Sequence, residues 1–508
     1  MNCPIRRRTT VRVERLEDRS MMAAGVTAAL NAYGVLSIAG TTTNDTVAIH
    51  AKGTQLTVDG VSTAFNAAQV KSIDIDGRGG NDAIRLSVAV GDKALSSGVT
   101  IHGAAGMDTV TGQGGLSAWL SGVGNTMLIA GAGVTLNGFS VNWFDQNLRD
   151  TALRTLVKQD FADGVLGRAD MLGIFYQVAR NGTLNATDFG DLKAIANNAS
   201  LFKADYVQQL TQDVVLGNVA NARYQGLSLG NMNVGSSVTL MTCLVNKWFL
   251  GSDRPLGTSD WGPTYAYAQA SGTLFNGTPT YADIRQGGLG DCYFLTALAE
   301  TAVRSASIIQ NMFIVNGDGT YTVRFYHNGA ADYVTVDSYL PVDQYGRLVF
   351  NGNGASAKSS SNVLWADLAE KAYVQLAEQG WSRALEGGNK TNAYRTISGG
   401  YIFDALSQIT GHTSSWVYHG SNLIASDFNT FVAAWNSGNF IGFASAGSPA
   451  SSAIVGNHAY AVLSYNAQTQ QVTLFNPWGV NNGSNRPGIV TLSWTQIQAS
   501  FVEMDYAR

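Results

Sequence analysis

Between residues 25 and about 140, short apolar runs alternate with clusters of Gly, Asn, Asp and Thr. Runs such as Thr54-Gln-Leu-Thr-Val58 and Ser72-Ile-Asp-Ile75 place apolar side chains at every second position, the period of a strand with one buried face. Near Trp143 the alternation stops. From 145 to about 225 the spacing becomes helical, with Leu148, Leu153, Leu156 and Val157, then Met171, Leu172, Phe175 and Val178. Residues 226 to 250 join this block to the rest and hold the apolar string Met241-Thr-Cys-Leu-Val-Asn-Lys-Trp-Phe249, in which Cys243 is expected to be a buried, inert thiol. Beyond about 251 both periods occur. A glycine-rich turn runs into an apolar segment of helical spacing near 292, and an alternating run carries His458 while the next one ends at Asn476. A chain of 508 residues is too long for one ordinary core, so roughly two to four domains are expected. The pattern divides it into a basic arm at 1–24, an all-β repeat segment at 25–142, a small helical segment at 143–235 and an α+β domain at 236–508.

Composition narrows the function. Charged residues make up 13% of the chain, about half the usual share, and glycine counts 57. Such a chain suits turn-rich β structure better than a helical bundle. The net charge of −4 removes the electrostatic basis for binding nucleic acid or an anionic membrane. Three cysteines, Cys3, Cys243 and Cys292, are too sparse for a disulfide framework. No run of 18 or more apolar residues appears, so no transmembrane helix is expected. Arg6 to Arg8 resemble the basic start of an export signal, but Val11 to Arg19 are charged where a secretory signal is apolar. The string Val13-Glu-Arg-Leu-Glu-Asp-Arg19 is similar to a short N-terminal tag of large exported bacterial proteins, and a disordered basic arm is the other reading. Both the cell exterior and the cytoplasm stay open.

The β segment repeats loosely. Gly40 to Val47, Gly77 to Ile84 and Gly103 to Val110 each hold a glycine, an Asp five positions on and a β-branched residue two beyond. Turn-then-strand units suit a β-solenoid or small β-roll. The last two look like calcium-binding β-roll repeats, but their Asp residues stand too far apart in the chain for stacked turns to share ions, so Asx turns are expected. In the helical block, Asp163 to Met171 and Asn181 to Phe189 look like the ends of EF-hand loops. Gln159, Phe161, Gln177 and Ala179 fall at the earlier ligand positions and include no acid, which leaves Asp170 and Asp188 as helix caps.

The most chemically specific stretch is Gln286-Gly-Gly-Leu-Gly-Asp-Cys-Tyr-Phe-Leu-Thr-Ala-Leu-Ala-Glu300. Cys292 sits where turn becomes helix, so its sulfur meets the free N–H groups and positive dipole end of the helix, which favour a thiolate. Gln286 offers an amide for an oxyanion. A Cys nucleophile needs a base that returns the proton to the leaving amine, and the base needs a third group to orient it. His458, in Gly456-Asn-His-Ala-Tyr-Ala-Val462, and Asn476, in Phe475-Asn-Pro-Trp-Gly479, supply those types, and a hairpin would bring them together.

This stretch resembles the active-site segment of calpain-family cysteine proteases, through its Gln, its glycine-rich turn with Gly290, and Asp291-Cys-aromatic in that order. The resemblance extends over 251–508, through Tyr333-Val-Thr-Val-Asp337, Leu340 to Arg347, Leu364 to Tyr373, Ala384 to Gly388, Ser398-Gly-Gly400 and the His458 and Asn476 motifs. It implies a bacterial-type, papain-like two-lobed core and a cysteine endopeptidase with protein or peptide substrates. It also implies a thiolate–imidazolium pair of Cys292 and His458 oriented by Asn476, an oxyanion held by Gln286 and the Cys292 N–H, a thioester intermediate, and Trp478 shielding the His–Asn contact. Family calcium sites would match Asp283 and Glu370. The structural alternative is that Asp283 caps a turn and Glu370 pairs with a lysine. The acids of a second site are missing from Val480 to Arg486. Two rival functions remain: a non-catalytic surface-binding or adhesin-type β-repeat protein with a degenerate protease domain, and a transpeptidase using the same thioester.

Overall fold

The computed structural model describes residues 25–52, 54–86, 99–102, 107–112, 117–120, 125–130, 135–137, 143–260, 262–381 and 391–508. The chain divides into two compact units, one running to Val207 and one from Gln208 onward, and the division falls inside the helix Asp205–Val215.

In the first unit the alternating segments form two six-stranded sheets. One holds, in spatial order, Thr27–Leu30, Val35–Ala39, Ser72–Asp76, Val99–His102, Ser117–Leu120 and Thr135–Asn137. The other holds Asn125–Ala130, Met107–Gly112, Ala83–Leu86, Thr46–Lys52, Gln55–Val58 and Phe65–Asn66. From Ser72 onward successive strands cross from one sheet to the other, so neighbours within each sheet run parallel. The inward positions of the alternation, among them Leu36, Ile38, Val47, Ile49, Ile73, Ile75, Ile84 and Ile101, form one buried core.

Two of the repeated turns lie directly on each other. Asn81 N–H donates to Asn44 Oδ1 and Asp45 N–H to Asp82 Oδ1, both at 2.8 Å. Gly80 has φ +108°, and a Cβ there would lie 2.5 Å from the Thr43 carbonyl carbon, so the stack demands glycine. Asp45 and Asp82 thus serve the turns. The third motif has residues 103–106 and the Asp108 side chain outside the described residues. The helical spacing gives Thr151–Asp160, Arg168–Ala179 and Ala186–Ala196. Asp170 accepts from Gly167 N–H at 2.7 Å and Asp188 from Asn185 N–H at 3.2 Å, so both acids cap helices.

The second unit is mixed α and β. The helix Cys292–Asn311 loses helical geometry at Ser305, and its first half, Tyr293 to Ala302, is buried. Helices Ile402–Thr410 and Trp365–Leu376 pack against it, and Phe294 stacks on Tyr373 with ring centroids 4.1 Å apart. A six-stranded antiparallel sheet follows, in the order Ser414–Tyr418, Phe501–Ala507, Phe440–Ser445, Ala459–Asn466, Gln471–Phe475 and Ile489–Ser493. Ile441, Phe443, Tyr460, Val462, Val472, Leu474 and Met504 fill its core. The helix Val238–Trp248 is joined to this unit by Lys247, which is fully buried and bonded to Asp253 and Glu378. Among the described residues no helix is long and apolar enough to cross a membrane.

Candidate active site

Cys292 opens its helix after a turn that leaves no room for side chains. A Cβ on Gly290 would lie 2.7 Å from Ser398 Oγ and 3.0 Å from Asp260 Oδ2. Asp260 fixes the turn, accepting from Gly290 N–H at 2.7 Å and from the Ser398 hydroxyl at 2.6 Å. Asp260 carries no local sequence signal, because its partners lie 30 and 138 residues further along the chain.

His458 and Asn476 meet as the hairpin spacing predicts. Ala459–Asn466 pairs antiparallel with Gln471–Phe475, with Ala461 opposite Phe475. His458 just precedes the first strand and Asn476 just follows the second, and His458 Nε2 lies 2.9 Å from Asn476 Oδ1. That oxygen also accepts from Trp478 N–H at 3.1 Å, which fixes it as the acceptor and makes His458 Nε2 the donor. Nδ1 is therefore the nitrogen left to exchange a proton with a thiol. The Trp478 ring lies 5.3 Å from the imidazole, centroid to centroid, and both His458 and Asn476 are buried. Ser445 holds the histidine backbone by accepting from His458 N–H at 2.9 Å and donating its own N–H to His458 O at 2.9 Å.

The helix start and the sheet come together here. Burial pushes the Cys292 thiol up to about 11, opposed first by a hydrogen bond from the backbone of Ala459, the residue after His458. Gln286 N–H donates to Pro477 O at 2.8 Å across the same junction. Burial pushes His458 down to about 4, with the Asn476 contact acting the other way. Desolvation thus acts against charge on both groups.

Gln286 is buried, and its side-chain amide donates to Leu289 O at 2.8 Å and to Asp291 Oδ1 at 3.3 Å. Both amide hydrogens are committed in this state, so an oxyanion would have to draw one away. Asp291 makes no side-chain cap for its own helix. Its carboxyl is fully buried beside Glu370, and burial raises it to about 7.

The two acids matched to a calcium site keep separate partners. Asp283 accepts from Thr280 N–H at 2.9 Å and Trp365 Nε1 at 3.0 Å. Glu370 is buried, accepts from Asn351 N–H at 3.2 Å and faces Asp291, and burial holds its carboxyl well above the usual range. Both acids are engaged by protein donors, so a calcium ion held by them would have to compete with these bonds. Glu370 does not pair with a lysine, since its contacts are to Asn351 and Asp291. Among the described residues no group of three or more His, Cys, Asp or Glu is placed to hold a metal.

Comparison with known proteins agrees with this geometry. Residues 252–503 match the calpain family cysteine protease model. Similar proteins include the calpain-type cysteine protease DEK1 of Zea mays, 30% identical over 223 residues, which are 40% of this chain and 9% of that protein. Calpain-8 of Mus musculus is 30% identical over 161 residues, 28% of this chain and 22% of the relative. Calpain clp-4 of Caenorhabditis elegans is 27% identical over 251 residues, 44% of this chain and 32% of the relative. In each case the match spans less than a third of the relative's length. Residues 252–503 form a calpain-family cysteine protease domain.

Proposed function

We propose that this chain is a cysteine endopeptidase acting through Cys292, His458 and Asn476. The observations that support the reading are a helix-start cysteine hydrogen-bonded from the backbone of Ala459, the residue after His458, and an imidazole whose free nitrogen is Nδ1. As the Cys292 sulfur bonds to a peptide carbonyl carbon, its proton passes to His458 Nδ1. The oxyanion is held by the Cys292 N–H and by the Gln286 amide once it leaves Leu289 or Asp291. Collapse breaks the C–N bond, and the imidazolium gives its proton to the leaving amine. Water then attacks the thioester while His458 accepts its proton, and the thiol is regenerated. Asn476 keeps the ring in the productive tautomer, and Trp478 shields that contact from water.

In this reading the helices around Cys292 and the sheet carrying His458 and Asn476 are the two lobes of a papain-like core, with substrate bound between them. The described strands between Thr27 and Asn137 belong, in this reading, to a short β-solenoid that serves as an accessory or inhibitory module. Calcium enters as a regulator on the strength of the family alone, and no catalytic step depends on it.

A peptidyl chloromethyl ketone tests the assignment. It should alkylate Cys292 and spare Cys243, as read by peptide mass mapping, with labelling lost in His458→Ala. Folded protein that stays unlabelled would favour the binding-protein reading.

A further inference from the structure

Two loops deliver the imidazole and its orienting amide. The first, residues 446–457, ends at His458. Val455 N–H donates to Tyr460 OH at 2.8 Å, Ser445 Oγ donates to Val455 O at 2.6 Å, and Asn457 N–H donates to Ala446 O at 3.1 Å. The second, residues 476–488, begins at Asn476 and is closed by the Asn476 N–H bond to Gly488 O at 2.8 Å. Arg486 belongs to the second loop and is fixed there. Its N–H donates to Ser484 Oγ at 3.0 Å, and its carbonyl accepts from Asn482 Nδ2 at 3.1 Å. Its guanidinium reaches into the first loop, where Nη1 donates to the carbonyls of Ser452 and of Ile454, the latter at 2.9 Å. Ile454 itself is fully buried, and the Arg486 bond to its carbonyl is partly buried. Among the described residues no carboxylate is ion-paired with Arg486, and its charge also acts on the Tyr460 hydroxyl.

We infer that Arg486 is a positioning residue for the catalytic pair: its guanidinium ties the loop carrying Asn476 to the loop carrying His458. The hairpin strands set the register of the two residues, but both lie beyond the strand ends, where loop motion changes their separation. A charge-assisted bond across the loops holds that separation, and a misplacement of about 1 Å in such a constellation can lower turnover on the order of 100-fold. Both bonds leave the one nitrogen Nη1, so Arg486→Lys asks whether a shorter, flexible ammonium reaches the same two carbonyls, and an added guanidinium ion supplies the donor lost in Arg486→Ala.

This inference rests on the protease reading, and the experiment separates the two. Full-length wild type, Cys292→Ala, Arg486→Gln, Arg486→Lys and Arg486→Ala are compared for hydrolysis of unfolded casein. Thermal melts and the rate of Cys292 alkylation by iodoacetamide are followed in parallel. The expected result is that Arg486→Gln melts as a folded protein and loses about tenfold or more in kcat with little change in KM. Millimolar methylguanidine should restore part of the activity of Arg486→Ala and leave that of wild type unchanged. If Arg486→Gln does not fold, Arg486→Ala purified with methylguanidine decides: loss of kcat when the methylguanidine is removed supports the tie, and a wild-type rate after its removal overturns it. Wild-type kcat in folded Arg486→Gln, or no rescue of Arg486→Ala, likewise overturns it. If wild type and Cys292→Ala are equally inactive, the protease reading fails instead.

Discussion

Replacing Lys247 by Met should cost the second unit a large part of its stability. The ammonium is fully buried, bonded to Glu378 Oε2 at 2.5 Å, to Arg223 O at 3.1 Å and to Asp253 Oδ2. Burial alone would lower its pKa, yet the Asp253 and Glu378 carboxylates outweigh burial and raise it. Burial already pushes Glu378 up to about 7 with the lysine in place. Methionine fills the space but leaves two carboxyls facing a thioether. Removing one partner of a buried ion cluster costs about 3–5 kcal/mol. At ~2–4 °C per kcal/mol for a domain of this size, the melting midpoint should fall by roughly 6–20 °C. The sign of the pH dependence follows from the orphaned acids. The folded pKa of Glu378 stands above its unfolded value, so the folded variant binds more protons and loses stability as pH rises through that interval. The deficit relative to wild type should therefore shrink from pH 7.5 toward pH 5. Scanning calorimetry at both pH values reads this directly, and adding Asp253→Asn and Glu378→Gln should recover part of the loss. A Lys247→Met midpoint within ~2 °C of wild type at pH 7.5 would refute the argument.

Three further outcomes are expected. Because burial places the Cys292 thiol near 11, its alkylation by iodoacetamide should rise about tenfold per pH unit between pH 7 and 10; a rate that is flat between pH 5 and 8 would show a preformed ion pair. His458 is lowered from 6.5 to about 4 on folding, so the unfolded chain binds more protons between these values. Stability should fall by up to about 3 kcal/mol as pH drops from 6.5 to 4, and urea unfolding of wild type and His458→Gln at pH 5 and 7 should differ in slope; equal slopes would count against it. Asn457, beside His458, has φ +51°, a region open to Asn and Gly but strained for a β-branched residue. Asn457→Gly should keep wild-type kcat, and Asn457→Val should lose activity and about 1–2 kcal/mol of stability.

What the sequence made legible was local or periodic. The turn before Cys292 shows because Gly287 and Gly290 have no room for a side chain, and the His458–Asn476 pairing shows because two alternating runs stand a hairpin apart. The capping roles of Asp170 and Asp188 follow from their place at helix starts. What stayed hidden depends on distant partners. Asp260 meets Ser398, 138 residues away, and Arg486 meets Ser452 across 34 residues. Lys247 sits in an apolar string that reads as simple packing, because Glu378 lies 131 residues on. Asp283 and Glu370 match a metal motif by position, and the sequence does not show that Trp365 and Asn351 bond to them. The helix end at Cys292 is visible in the sequence, whereas the desolvation that raises its thiol depends on the fold.

The most direct test of the central claim is hydrolysis of unfolded casein by wild type and Cys292→Ala, each with calcium and with chelator. The account predicts cleavage by wild type and a loss of at least about a thousandfold in the variant, since nothing else in the site supplies the nucleophile. Chelation should leave the difference between the two proteins in place. Equal cleavage by both, or none by wild type in either condition, would contradict the account.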